Sequence, residues 1–209
     1  MHSFLKKSSA YLISNIINGL SLLFLLPFLT RFLSTDAYSQ VVLFQTLIFG
    51  LLSFIHLNIF QASNIKFFEK SLTDDEIKKY NTGCVIILSL SILFFLFILL
   101  SNLPILSYLL SLSQSWLICA FIIALSQSVI QFCLWQWQMR EQAYQYSIYN
   151  SCYVIISSLF TLLLLYLLHD KVHARIYALL SVSVIFFYFQ YILLYLKNGF
   201  HFLLFPYQS

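Results

Sequence analysis

The chain has 209 residues, of which 61% are apolar and 9% are charged, and its formal net charge is +4. An ordinary soluble domain is nearer one quarter charged, and a fold of this length leaves about 30% of its unfolded-chain surface in water. The few polar side chains cannot cover such a surface. The composition therefore excludes a water-soluble globule and predicts an integral membrane protein.

Six charge-poor runs are each long enough to cross a hydrocarbon core, which takes about 20 helical residues. The runs are 9–32, 40–62, 82–102, 115–136, 147–168 and 174–196. Each run is continuously apolar and does not alternate from residue to residue, and a helix satisfies its own backbone hydrogen bonds, so helices are expected and barrel strands are not. The predicted fold class is all-α: a polytopic membrane protein with six transmembrane helices in a single bundle.

The first run begins after Lys6 and Lys7 and has no small-residue cleavage site, so it is expected to remain as a membrane anchor. The third run is nearly all aliphatic and Phe, and is expected to lie at the periphery against lipid. Residues 63–81 are expected to form a polar cytoplasmic linker in which Thr73 caps a short helix. The apolar stretch 103–115 is expected to form an interfacial helix.

The orientation is predicted from Lys and Arg, which are enriched in cytoplasmic connections. With the amino terminus inside, the cytoplasmic side receives eight of these residues and the outer side three. The inner set is Lys6, Lys7, Lys66, Lys70, Lys78, Lys79, Arg140 and Lys197, and the outer set is Arg31, Lys171 and Arg175. Six crossings then place both termini in the cytoplasm.

Several runs carry their polar residues on one narrow face when plotted at about 100° per residue. The candidate lining residues on these faces are Asn15, Asn18, Gln45, His56, Gln127, Gln131 and Asn150. An amide in hydrocarbon needs a partner, so these residues either bond between packed helices or line a hydrated cavity. Five helices with such a face carry more polar surface than packing requires, which favours the cavity.

Other functional classes lack support in the residues. Cys84, Cys119, Cys133 and Cys152 have no paired spacing and are interpreted as reduced thiols without a metal or disulfide role. His169 and His173 are spaced as a helical pair but fall in a short connection, where a plain turn is the favoured interpretation. No carboxylate lies within a run, and no hydrolase, zinc-protease or phosphate-loop motif is present. We therefore expect no cofactor, no bound metal, no nucleic-acid partner and no enzymatic activity.

The joint between the fourth and fifth runs is unusually aromatic and amide-rich. It reads LWQWQMREQAYQYS over 134–147. Trp and Tyr suit the headgroup layer, where they anchor helix ends, and anchoring alone accounts for them. Trp135, Trp137, Tyr144 and Tyr146 are expected to serve in this way.

Two segments resemble bacterial polysaccharide and O-antigen flippases, the oligosaccharide branch of the multidrug/oligosaccharidyl-lipid/polysaccharide exporter superfamily. In the joint, WQWQMRE at 135–141 followed by YQY at 144–146 is similar to that family's aromatic, Gln-containing helix end, although its usual glycine is replaced. The opening resembles the family more closely, with KSSAY at 7–11, LPFLTRFLS at 26–34 and DAYS at 36–39. The family's usual glycine in the last of these is Ser39.

The resemblance implies a transporter of about twice this length, with two six-helix bundles around a central cavity in a bacterial inner membrane. This chain then supplies the amino-terminal bundle, as a truncated or split half or as a homodimer. The implied partner, besides membrane lipids, is a polyprenyl-pyrophosphate-linked oligosaccharide. Arg31 and Arg140 are the candidate cations at the mouth of the cavity, with anchoring as their alternative role. A membrane enzyme of envelope polysaccharide assembly and a six-helix accessory or scaffold subunit are the alternative functions.

Overall fold

The computed structural model describes the backbone of residues 2–57 and 74–196, with side chains for 6–57, 79–80 and 82–192. This part of the chain holds six helices and no strand. The helices are α1 (His2–Phe32), α2 (Thr35–His56), α3 (Asp74–Leu110), α4 (Gln114–Met139), α5 (Ala143–Leu167) and α6 (Lys171–Leu196). Each contains a stretch long and apolar enough to cross a membrane. The predicted all-α, six-helix membrane fold is confirmed.

Short polar residues mark the starts of three helices. Ser34 Oγ accepts a hydrogen bond from the Ala37 amide at the start of α2, and Ser113 Oγ accepts one from the Trp116 amide at the start of α4. Asp170 Oδ1 does the same for two amides of α6. These bonds satisfy N–H groups that the first turn of a helix leaves without an intrahelical partner.

Helix α3 is longer than the run that predicts it. It begins at Asp74, so the short helix expected in the linker is continuous with the membrane segment; Thr73, its expected cap, lies outside the described residues. At the other end, residues 103–110 of the stretch expected as an interfacial helix form the last turns of α3, and residues 114–115 begin α4. A kink at Asn102 (φ −121°, ψ 18°) sets these turns off, two residues before Pro104, whose ring disfavours helical geometry just upstream.

The bundle is built around α4, which packs against α2, α3, α5 and α6. Helix α1 packs mainly along α5 and touches α2 only slightly. Helix α3 packs against α2 and α4 and exposes a broad aliphatic and Phe surface, as expected for a peripheral, lipid-facing helix. These large exposed apolar surfaces are consistent with a hydrocarbon solvent.

The helix connections define two ends of the bundle. The Glu141 end contains the α4–α5 turn and the start of α1, which are joined by an ion pair of 2.7 Å between Lys7 Nζ and Glu141 Oε2. The Asp170 end contains the α5–α6 turn together with the starts of α2 and α4. An apolar cluster closes the Asp170 end, with contributions from α1, α2, α4, α5 and α6. Its members are Leu25, Leu29, Leu33, Val41, Phe44, Ile48, Ala120, Ile123, Leu165, Val172, Ala174, Ile176 and Leu179.

Candidate functional site

A cavity of about 490 Å³ lies inside the bundle, with a lining that is mostly apolar in area and contains nine polar side chains; we call it the Arg175 cavity. Five helices line it. Its polar lining residues are Asn18, Gln45, Gln127, Gln131, Asn150, Tyr153, Ser157, Ser158 and Arg175, and apolar side chains such as Leu22, Ile48 and Leu179 complete the wall. Its size falls within the range of small-molecule sites, roughly 300–1,000 Å³.

A second cavity of about 710 Å³, the His56 cavity, adjoins the first. It extends to the Glu141 end, because His56 and Leu57 close α2 and Gln138 is next to the last residue of α4. The shared lining residues are Phe49, Gln127, Gln131 and Leu134. Gln131 and Gln138 are exposed. Because they share these residues, we treat the two cavities as one recess. Its lining residues reach the Glu141 end and, in the other direction, include Leu25, Ile48 and Leu179 of the apolar cluster.

Arg175 is the charged group of this recess, and only 6% of its surface is exposed. Its Nη1 donates to Thr161 Oγ1. With the Gln45 amide turned so that its oxygen faces the guanidinium, this oxygen accepts from Nη2 at 3.0 Å and from Nε at 3.2 Å. Among the described residues no carboxylate pairs with Arg175, since the ion pairs found there are Lys7–Glu141 and Asp170–His173. Within the part of the chain that the structure describes, the recess therefore holds a positive charge without a carboxylate partner.

The sequence did not predict this role for Arg175. The Lys and Arg distribution assigns it to the outer connection, but it lies one turn inside α6 and its side chain bonds Gln45 on α2. An arginine near a helix end is usually taken to extend outward to the interface. Here the polar acceptors on α2 and α5 hold it inward. Arg31 and Arg140, the cations expected at the mouth of the cavity, are not among the lining residues, whereas Arg175 is.

Two further sets of side-chain hydrogen bonds join neighbouring helices at the recess. Gln127 Nε2 donates to the Tyr153 hydroxyl at 3.0 Å, and this hydroxyl is 3.2 Å from Ser183 Oγ on α6. Asn150 Nδ2 donates to Ser14 Oγ on α1 at 3.3 Å. Gln127 and Asn150 thus combine the two roles that the sequence left open, since each bonds to a neighbouring helix and also lines the cavity.

Six of the nine residues singled out from the sequence are brought together around the recess: Asn18, Gln45, His56, Gln127, Gln131 and Asn150. Asn18 Oδ1 is buried with no hydrogen-bond partner in the described part of the chain. Such a group favours a water or a ligand beside it.

The other three predicted residues lie outside both cavities. Asn15 is exposed, while its neighbour Ser14 is fully buried against α5. Arg31 is exposed at the last turn of α1, at the Asp170 end. Arg140 is half-buried in the α4–α5 turn, and this burial lowers the pKa of its guanidinium, which still carries its charge at neutral pH.

The tryptophans of the 134–147 joint are buried within the bundle, and their side chains are not exposed as those of membrane anchors would be. Trp135 and Trp137 are 9% and 6% exposed, and the Trp137 ring packs edge-on against Tyr149 with centroids 5.4 Å apart. Tyr146 lines the His56 cavity, whereas Tyr144 is exposed, as an anchor would be. The aromatic joint therefore mainly holds α4 against its neighbours and shapes the recess.

These features define a multi-pass membrane protein whose bundle contains a recess lined by polar and apolar side chains and by the buried Arg175. No family model, curated protein or solved structure matches the chain. Within the described residues no three His, Cys, Asp or Glu side chains are grouped as a metal site. His173 contacts Asp170, with Nδ1 and Oδ2 2.7 Å apart, and His169 is exposed.

Proposed function

We propose that this chain is one bundle of a flippase of the oligosaccharide branch named above, which moves a polyprenyl-pyrophosphate-linked oligosaccharide across the bacterial inner membrane for surface polysaccharide assembly. The observation that carries the proposal is the buried Arg175 facing a polar recess within a six-helix membrane bundle. The resemblance of the opening and joint segments gives the substrate class.

The chemistry of the recess fits the two parts of such a headgroup. A guanidinium presents N–H donors in a fork that matches phosphate oxygens, and Arg175 has no carboxylate partner among the described residues to compete for it. Amides and hydroxyls both donate and accept, as sugar hydroxyls do. Gln127, Gln131 and Gln138 supply such groups along α4 toward the Glu141 end.

The shape of the recess fits one state of an alternating-access cycle. It extends to the Glu141 end and is closed at the Asp170 end by the apolar cluster. With the termini in the cytoplasm, as the Lys and Arg distribution predicts, this is an inward-open state. We propose that a second six-helix bundle, or a second copy of this chain, covers the open side.

The proposal is tested with the full chain reconstituted in vesicles that contain a short-chain polyprenyl pyrophosphate linked to a fluorescent disaccharide. We expect the protein to speed movement of the label between leaflets, measured by quenching with an impermeant reductant. Arg175→Gln is expected to abolish this acceleration, and Lys6→Gln, which removes an exposed cation from α1, is expected to leave it unchanged.

The alternatives give different outcomes. Binding of the lipid without movement indicates that a second bundle must be added. Covalent change of the lipid, detected by mass spectrometry, indicates the membrane enzyme. If the lipid is neither bound nor moved, with or without a second copy of the chain, the proposal is contradicted and the accessory subunit is favoured.

A further inference from the structure

His173 joins two helices at the closed Asp170 end. Its Nε2 accepts a hydrogen bond from Trp116 Nε1 of α4 at 3.2 Å, and its Nδ1 is 2.7 Å from Asp170 Oδ2. Indole N–H is a donor only, so Nε2 must be unprotonated and the proton of the neutral ring lies on Nδ1. In this form both ring nitrogens are satisfied.

The ring lies directly against the apolar cluster that closes the recess. Trp116 packs on that cluster, and its ring meets Phe44 of α2 edge-on at 6.4 Å and His173 at 5.3 Å. Val172 and Ala174, the neighbours of His173, belong to the cluster. Arg175 of the recess follows immediately along the chain.

We propose that the Trp116–His173 contact is a proton-sensitive latch that keeps the Asp170 end closed while His173 is neutral and releases α4 from α6 when His173 is protonated. The imidazolium carries N–H on both nitrogens, so Nε2 can no longer accept from Trp116 and two donors face each other. The bond to Asp170 survives and gains charge. Protonation therefore breaks the contact with α4 and spares the contact within the α5–α6 turn.

The surrounding charges support a histidine-controlled change. Asp170 stays ionised between pH 5 and 8, because hydrogen bonding from the His173 amide lowers the pKa of its carboxyl. Lys171 Nζ is turned toward the Leu165 and Leu168 carbonyl oxygens, and Arg175 toward Thr161. The described titratable and charged groups at this end, besides His173, are Arg31, Asp36, Tyr38, Tyr108, Cys119, Tyr166, His169, Asp170, Lys171, Arg175 and Tyr177. Of their carboxylates, Asp170 is the one paired with His173, and Tyr177 contacts its ring at 5.7 Å.

The first test compares melting temperatures of the purified full chain at pH 8 and pH 5. Trp116→Phe keeps an aromatic ring and removes the donor. We expect it to lower the Tm by about 2–4 °C at pH 8, the shift that one net hydrogen bond produces in a chain of this size, and to have no effect at pH 5. In a His173→Gln background the effect of Trp116→Phe should be the same at both pH values. An equal effect at both pH values with His173 present would overturn the proposal.

The second test measures directly whether the Asp170 end is closed, and it does not use a melting temperature. The four native cysteines are replaced by serine, and Val172, which is buried in the cluster, is replaced by Cys. At pH 5 this thiol should react several-fold faster than the same thiol in the His173→Gln variant, while at pH 8 the two should react alike. Equal rates at both pH values would contradict the latch. Both tests omit substrate, so the latch and the proposed flippase activity can fail separately.

Discussion

Replacement of Arg175 by Gln removes the buried positive charge and keeps an unbranched polar side chain at this position. A guanidinium has five N–H donors, and contacts with Thr161 and Gln45 use three of them, on Nη1, Nη2 and Nε. Two N–H groups therefore remain for an anion in the cavity. A hydrogen bond to a charged partner contributes about 1.5–3 kcal/mol, so the pair is worth about 3–6 kcal/mol. Since about 1.4 kcal/mol is tenfold in affinity, the variant is expected to bind pyrophosphate at least about 100-fold more weakly.

The assay is calorimetric titration of the purified full chain with inorganic pyrophosphate. Arg175→Lys keeps a charge but not the planar fork, and it is expected to lose roughly tenfold, about 1.4 kcal/mol. Lys6→Gln serves as the control for loss of a surface charge. If Arg175→Gln binds pyrophosphate as tightly as the unaltered chain, the assignment of Arg175 to an anion is refuted.

Three further predictions concern single contacts and are checked by melting temperature. Thr161→Val leaves a donor of the buried guanidinium unsatisfied and should cost about 1–3 kcal/mol, whereas Thr30→Val, at an exposed site, should change stability little. The pKa of the Asp170 carboxyl is lowered from its ordinary 3.8, chiefly by the His173 amide. Its stabilisation is thus present at neutral pH and is lost as the pH falls below 3.8 and through the folded pKa, so Asp170→Asn should lower the Tm at pH 7 and lower it progressively less below pH 3.8. Lys7→Gln breaks an exposed ion pair and should cost about 0–1 kcal/mol, less at high salt. An unchanged Tm in Thr161→Val would contradict the first contact, and a loss of Tm in Asp170→Asn that does not depend on pH would contradict the second. A large loss of stability in Lys7→Gln that does not depend on salt would contradict the third.

The helices follow from composition, because only a self-bonded helix satisfies the backbone in hydrocarbon. The positions at which the helices begin and end are predicted less well from composition. The kinked helix α3 continues past Asn102 to Leu110, since no charge or glycine interrupts the apolar stretch on either side of the kink. Its start at Asp74 lies in the polar linker, where hydropathy carries no signal for a helix.

The candidate site follows in part from helical periodicity. The polar faces of α2, α4 and α5 point into the recess, as Gln45, Gln127 and Asn150 show. Helical periodicity predicts which face of a helix is polar, but it does not predict how the helix is rotated against its neighbours. Helix α1 is turned so that Ser14 is buried, and Asn15, about 100° further round, is exposed.

Helical periodicity cannot predict the role of Arg175, because its partners are on other helices. Thr161 is 14 positions away and Gln45 is on α2. A buried cation near a helix end has the same sequence signature as an interfacial one. The signal that does exist is Thr161 itself, a hydroxyl on the polar face of α5, but its partner cannot be identified without tertiary contacts.

The most direct measurement asks whether the recess is wet. In a chain whose four native cysteines are replaced by serine, single cysteines are placed at Gln127 and Gln131, which line both cavities, and at Leu23, which is 67% exposed on α1. Membranes are then treated with a charged, impermeant thiol reagent, which reacts only with hydrated thiolate. We predict that the cysteines at 127 and 131 react and that the one at 23, facing hydrocarbon, does not. Failure of both recess positions to react would show a dry interior and contradict a transport cavity.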